Sequence, residues 1–260
     1  MTSPGECVHF RTALLTDAGG RDTNQDSCTW QITGSRGCWV VADGLGGHKA
    51  GGIASNAAIQ AVLESFRAHE DCTYAALEQH FTAAQSALHN IQARTPEFAT
   101  MRTTLVVLLA DTRKAIWGHI GDSRLYHFRL ANLLECTEDH SVAQALIAAG
   151  ELSAEAIRGH ADRNRLFHSL GQPGPAEATI RAEPIELHAG DAFLLCTDGF
   201  WEYVLESELA ADLAGAKGPE DWLGQAQQKL LKKASSRCDN YSALAVLFYP
   251  PPDDGLGGGC

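Results

Sequence analysis

Apolar runs that end in aspartate constrain this chain more than any other feature. CWVVADGLGG delivers Asp43, AIWGHIGDSR delivers Asp122, AFLLCTDGF delivers Asp198, Asp239 opens DNYSALAVLF, and Asp26 stands at the start of a further strand-like run. Each carboxylate falls where a strand meets a tight turn, so a fold built on these strands gathers negative charge at one end of its sheets. Several carboxylates converging without Lys or Arg partners repel one another, and a divalent cation is the natural compensation. Coordination by Asp oxygens, a backbone carbonyl and water suits Mg2+ or Mn2+, whereas zinc more often recruits His or Cys. No CxxC or HExxH pattern occurs in the chain. Hydrolysis at bound metal is the chemistry this pattern favours.

Length and composition are compatible with a single catalytic unit. A chain of 260 residues with 45% hydrophobic content buries a sizeable core without any staple, and no linker divides it. The eight cysteines, Cys7, Cys28, Cys38, Cys72, Cys136, Cys196, Cys238 and Cys260, are scattered, several within apolar runs. With no signal peptide in view, the expectation is reduced thiols and a cytoplasmic protein. A formal net charge of −12 opposes binding to nucleic acid or to anionic membranes, and stretches such as LVVLLA are far too short to insert into a bilayer.

Short β-rich runs alternate with two long helical stretches in the first half, which predicts a mixed sheet and helix sandwich rather than a regular βαβ repeat. Strands are expected near 8–15, 27–33, 37–42, 103–111, 114–120 and 123–129, separated by only a few residues as antiparallel hairpins and meanders require. Leu77, Phe81, Ala84, Leu88 and Ile91 form one stripe at helical spacing, and Ile53, Ala57, Ala61 and Val62 form another; both read as core faces. A further helical, polar stretch is expected from His140 to about His168. The segment from Pro250, PPDDGLGGGC, has the composition of a flexible tail.

The motif DGLGGHKAGGIAS, from Asp43, adds a second layer. Glycine directly after a carboxylate lets the backbone turn sharply and leaves a carbonyl exposed, so Asp43 and the Gly44 carbonyl could both contact metal. Read alone, the same residues make a flexible turn ahead of a helix, or a weak phosphate-binding loop.

Seven segments in one order carry a family resemblance: RDTNQD (21–26), VADGLGGH (41–48), MRTTLVV (101–107), GHIGDSRLY (118–126), TEDHS (137–141), LLCTDGFW (194–201) and DNYSALAV (239–246). Together they resemble the bacterial metal-dependent protein phosphatases, the type 2C serine/threonine phosphatase family, over nearly all of the chain from Arg21 to Phe248. The resemblance implies an α+β fold, a four-layer αββα sandwich with two central antiparallel β-sheets flanked by helices. It implies a catalytic domain over 1–249 and a Pro/Gly-rich tail over 250–260. It also implies a dinuclear Mn2+ or Mg2+ site at one edge, with a third, weaker ion in bacterial members.

Carried over residue by residue, Asp43 resembles the bridging ligand, Gly44 the backbone-carbonyl ligand, and Asp198 and Asp239 ligands of the first ion. Asp26 matches a carboxylate in or just behind the ligand set, and Asp122, within GDSR, matches a holder of the third ion together with Asp198. For each, the alternative is a turn-forming or capping aspartate. Arg21 resembles the phosphate clamp, since a guanidinium pairs bidentately with two phosphate oxygens; otherwise it pairs with Asp26 or Asp22. The mechanism implied is attack on phosphorus by metal-activated water with the Ser or Thr alkoxide leaving. No Cys opens a phosphate-cradling CxxxxxR loop, so a cysteine phosphatase is not indicated. The implied substrate is a phosphoprotein, a serine/threonine kinase or its target, in dephosphorylation signalling.

Departures from the family pattern are specific. Leu45 replaces a residue that in eukaryotic members is often a His thought to protonate the leaving group, which leaves His48 or metal-held water for that task; water is favoured. Gln25 stands for a frequent Glu, Gly52 for another, and Arg102 for a common Gly. The segment 140–171 resembles the family's flap, a small helical insertion beside the active site; without the resemblance it reads as two surface helices joined by GELS. CTDGFWEYV is similar to stand-alone phosphatases that accompany type VI secretion and reverse a partner kinase. Two rival readings are a metal-binding interaction module and a small-molecule phosphoesterase.

Overall fold

The computed structural model describes residues 7–46 and 50–251. The expected tail falls almost wholly on 252–260, outside the described residues, as does His48. Among the described residues, thirteen strands make two sheets and a small ladder. The first sheet runs β1 (His9–Asp17), β13 (Tyr241–Tyr249), β12 (Asp191–Cys196), β8 (Arg124–Arg129), β9 (Asn132–Cys136). The second runs β10 (Thr179–Ile180), β7 (Lys114–Ile120), β6 (Leu105–Ala110), β3 (Arg36–Ala42), β2 (Ser27–Thr33), with β11 (Ile185–Glu186) also on β7. β4 (Gly44–Leu45) and β5 (Arg102–Thr103) pair separately. All of these pairs are antiparallel.

Period-two alternation explains the layering. In β6, Leu105, Val107 and Leu109 pack toward helices, while Val106, Leu108 and Ala110 pack between the sheets. In β13, Ala243, Ala245 and Leu247 face the opposite helices, and Leu244, Val246 and Phe248 face the other sheet. Both faces being covered, these strands read as unbroken apolar runs. The outer layer on the second sheet is α1 (Ala50–Ala68) and α2 (Tyr74–Arg94). The expected α2 stripe is buried from Leu77 to Leu88, with Ile91 packed on its flank. In α1 the stripe is shifted: Ala54, Ala58, Ile59, Val62 and Phe66 are buried, and Ile53 and Ala57 lie at its margin. That helix packs on the sheet and on α2 at once, so its buried face is centred between them.

Two helices not anticipated from the sequence, α5 (Glu206–Gly215) and α6 (Pro219–Lys233), cover the first sheet. Trp222, Leu223, Ala226 and Leu230 of α6 are buried there, with Pro219, Glu220 and Asp221 at its start and Lys232 and Lys233 at its end, as the helix dipole favours. The αββα expectation therefore holds. The stretch expected to be helical from His140 to about His168 is less so than its composition suggests: α3 (Val142–Ala148) is short, and Ala154–Gly159 forms a single 3-10 segment. Its chain is tied down by backbone pairing instead, Ser141 with Leu166 and Thr103 with Leu170. Cys28, Cys38, Cys72, Cys136, Cys196 and Cys238 are free thiols.

One connection departs from the expected meander in a way that matters. β7 and β8 are three residues apart yet belong to different sheets, so Gly121-Asp122-Ser123 crosses the sandwich instead of closing a hairpin. Gly121 makes the crossing at φ 103°, and a Cβ there would lie 2.6 Å from Thr104 Cγ2. Both the dihedral and the contact exclude a side chain. Gly121→Ala should therefore lower stability to urea unfolding by about 1–3 kcal/mol.

Candidate metal centre

Strand ends bring the aspartates together. Ser27 pairs with Ala42, so Asp26 and Asp43 lie side by side just beyond the end of that ladder. Cys196 pairs with Ala243 in the first sheet, which sets Asp198, at the start of α4 (Asp198–Trp201), near Asp239, just ahead of β13. The crossing turn then carries Asp122 to the same edge. A cleft of ≈ 460 Å³ opens there, lined by Asp43, Gly44, Asp122, Asp198, Asp239 and Arg21, with Leu45, Asn164 and Asn240 among its other walls. Asp26 lies behind this surface: the Thr197 hydroxyl donates to its Oδ2 at 2.9 Å.

The carboxylates crowd one another. Burial, and then the charges of Asp26, Asp198, Asp122 and Asp239, hold Asp43 well above the usual carboxylate range. Burial followed by Asp198 and Asp139 does the same to Asp122. Asp198 is pushed up to about 7 by burial, then by Glu202, Asp239 and Asp26. Asp26 is pushed up to about 6, by burial first and with Asp239 adding to it, although hydrogen bonds from Ser242 and Thr197 act the other way.

These features fit a hard cation. Asp26 Oδ1 is buried without a hydrogen-bond partner, the donor set is all oxygen, and the charge is unbalanced. Among the described residues no three His, Cys, Asp or Glu side chains already close around one point. Coordination by carboxylates completed by a carbonyl and water would suit Mg2+ or Mn2+ rather than a closed zinc cage. Gly44 fits the carbonyl role. A Cβ on Gly51 would lie 2.5 Å from Gly44 O, so position 51 must be glycine for this oxygen to stay clear, and a Cβ on Gly44 would lie 2.1 Å from Gly51 O, so the two backbones approach this closely only as glycines. Thr103 and Thr104 fix the preceding peptide: the Thr103 hydroxyl donates to Asp43 O at 2.7 Å, and Asp43 N donates to Thr104 Oγ1 at 2.9 Å.

Arg21 stands at the mouth, exposed, its Nη2 donating to Asp239 Oδ2 at 2.8 Å. It is paired with neither Asp26 nor Asp22. The loop that carries it is held by a residue sequence reasoning did not single out: Asn240 accepts from Gln25 N at 2.8 Å and donates to Ala18 O and Thr23 O at 2.8 and 3.0 Å. Its place directly after Asp239 was the available signal. A second such residue is Trp201, whose indole N–H donates to Asp122 O at 2.9 Å while Arg124 stacks on its ring, 3.6 Å from the centroid. Arg124 is in turn held by Asp139 through two 2.8 Å bonds. Asn164 brings the 140–171 segment to the cleft; the sequence marked that segment as a neighbour of the site without singling out this position. Leu45 lines the cleft without a titratable group.

Comparison with known proteins identifies the family. The family model described as protein phosphatase 2C matches residues 19–233, and the chain belongs to that family. It is 31% identical over 202 residues to protein phosphatase PhpP of Streptococcus pneumoniae, covering 76% of this chain and 81% of that protein. The structure of the catalytic domain of serine/threonine protein phosphatase PstP in complex with two manganese ions superposes with a TM-score of 0.77 at 28% identity, covering 93% of this chain and 99% of that one. PppA of Pseudomonas aeruginosa, a regulatory component of type VI secretion, superposes at 0.76 with 26% identity over 94% of this chain and all of that one.

Raised carboxylates oppose the folded state when charged. The stability that protonated Asp26 and Asp198 confer is present below about 3.8 and lost as pH rises through about 6 and about 7 respectively. In EDTA, Asp198→Asn should therefore be more stable to urea than the parent near pH 8, by about 1–3 kcal/mol. The gap should narrow towards about pH 4, and a gap independent of pH would contradict the crowding.

Proposed function

We propose that the cleft hydrolyses phosphoserine and phosphothreonine monoesters of proteins with a dinuclear Mn2+ or Mg2+ centre, a third ion joining at Asp122. The observation that carries this reading is the convergence of Asp43, Asp122, Asp198 and Asp239 on one open cleft with Gly44 and Arg21. Such a centre, when bound, supplies Lewis acidity, a water of lowered pKa and neutralisation of phosphoryl charge. Asp43 would lie between the two ions, Gly44 would offer its carbonyl, and Asp198 and Asp239 would hold the first ion. Asp26 would support them through its unpartnered Oδ1. Arg21 would turn from Asp239 to the substrate phosphate, orienting it for in-line attack. With Leu45 aprotic, proton delivery to the leaving alkoxide falls to solvent in the cleft.

Residues 1–249 form the catalytic domain in this reading, and 140–171 its flap. The substrate would be a serine/threonine kinase or its target in the cytoplasm. No helix among the described residues is long and apolar enough to cross a membrane. The likenesses to PstP and PppA are equal in kind, so a connection with type VI secretion rests on the CTDGFWEYV resemblance.

Asp43→Asn should keep the fold, by circular dichroism, and lose turnover of a phosphothreonine peptide by on the order of 10³-fold; EDTA should do the same to the parent. Full activity in EDTA would remove the metal-dependent mechanism. Metal counting by calorimetry separates the sites further: Asp122→Ala should keep two ions and turn over more slowly, whereas Asp198→Ala should weaken binding of the core pair as well. Equal losses in the two variants would return Asp122 to the role of a turn residue.

A further inference from the structure

Arg102 opens β5 directly opposite Leu45 of β4, and Leu45 and Gly46 form one wall of the cleft. The same segment presses on Gly46, where a Cβ would meet Met101 Cα at 3.3 Å and Thr100 O at 3.5 Å. On its other side β5 is tied to the base of the flap: Thr103 N donates to Leu170 O at 3.2 Å and Leu170 N to Thr103 O at 2.9 Å. Arg102 thus lies at the seam between the cleft wall and the flap. Opposed residues of an antiparallel pair project to the same side of the ladder, so its side chain shares a side with that of Leu45.

The charge on Arg102 is uncommitted. Among the described residues its side chain makes no hydrogen bond or ion pair, and it is partly exposed. Other arginines around the cleft are each engaged by a carboxylate: Arg21 by Asp239, Arg124 by Asp139, Arg158 by Glu206, Arg163 by Glu202 and Arg165 by Asp162. A guanidinium with five free donors matches a carboxylate bidentately. The protein as a whole, at −12, repels acidic peptides, so attraction of one to the cleft has to come from a local cation of this kind.

We propose that Arg102 is a specificity-determining residue that pairs with an acidic side chain adjoining the phosphorylated residue of the protein substrate; this rests on the phosphatase reading above. The test is kcat/KM on phosphothreonine peptides carrying one Glu, Gln or Lys at each of the three positions before and after the phosphoresidue, with p-nitrophenyl phosphate as a substrate that has no flanks. The metal-loaded parent should prefer Glu over Gln at one of those positions by about three- to tenfold, and the preference should weaken with added salt. Arg102→Ala should erase the preference, and Arg102→Glu should transfer it to the Lys peptide at that same position. Both variants should hydrolyse p-nitrophenyl phosphate at the parent's rate. A parent that turns over p-nitrophenyl phosphate and the Gln peptides but prefers Glu at no position overturns the proposal alone, as does a Glu preference that survives in Arg102→Ala. Failure of the parent on every substrate overturns the phosphatase reading and the proposal with it.

Discussion

Mutual repulsion among carboxylates at one edge of the sandwich is the constraint on which the rest of this structure depends. Asp43, Asp122 and Asp198 are each held above the ordinary carboxylate range by burial first and then by neighbouring carboxylates. An arrangement of that kind persists only when other interactions overdetermine the backbone. Here those interactions are apolar: three hydrophobic layers, helix on sheet, sheet on sheet and sheet on helix, fix the strands whose ends carry the aspartates. The core supplies the stability, and the edge spends some of it on a charge density that invites cations.

Around that edge, neutral hydrogen bonds do the positioning. Asn240 holds the Arg21 loop, Thr103 and Thr104 hold the peptide after Asp43, and Trp201 holds the crossing turn at Asp122. A neutral clamp orients a carboxylate without cancelling its charge, which leaves the charge available to metal. The buried ion pair close by, Arg124 with Asp139, lies against the ring of Trp201, so it braces the turn from outside the cleft, whereas Arg21 meets Asp239 at the exposed mouth.

The segment 140–171 is short of regular helix yet firmly anchored. Only seven residues form its α-helix, yet Arg158 and Arg163 tie it to Glu206 and Glu202 and backbone bridges tie both of its ends. Asn164 therefore reaches the cleft from a segment with a defined seat. Variation in such a segment changes what the cleft meets without disturbing the strands beneath it.

Much of this was legible in the residues alone. Continuous apolar strands, the helical stripe from Leu77 to Leu88 and the aspartates at strand ends follow from local patterning, because period two, period 3.6 and turn chemistry are written in neighbouring residues. The ordered set of motifs carried the family, and with it the αββα layering. Tertiary structure alone decided which strands share a sheet: β7 and β8 look like a hairpin in sequence, but the strained glycine at 121 sends them to opposite sheets and so delivers Asp122 to the centre. It alone decided that Arg21 faces Asp239, that Asn240, Trp201 and Asn164 belong to the site, and that Arg102 lies beside Leu45 with its charge unpaired. Those relations join residues far apart in the chain, from 57 positions between Leu45 and Arg102 to 218 between Arg21 and Asp239, and no local pattern records which distant partner a side chain will meet.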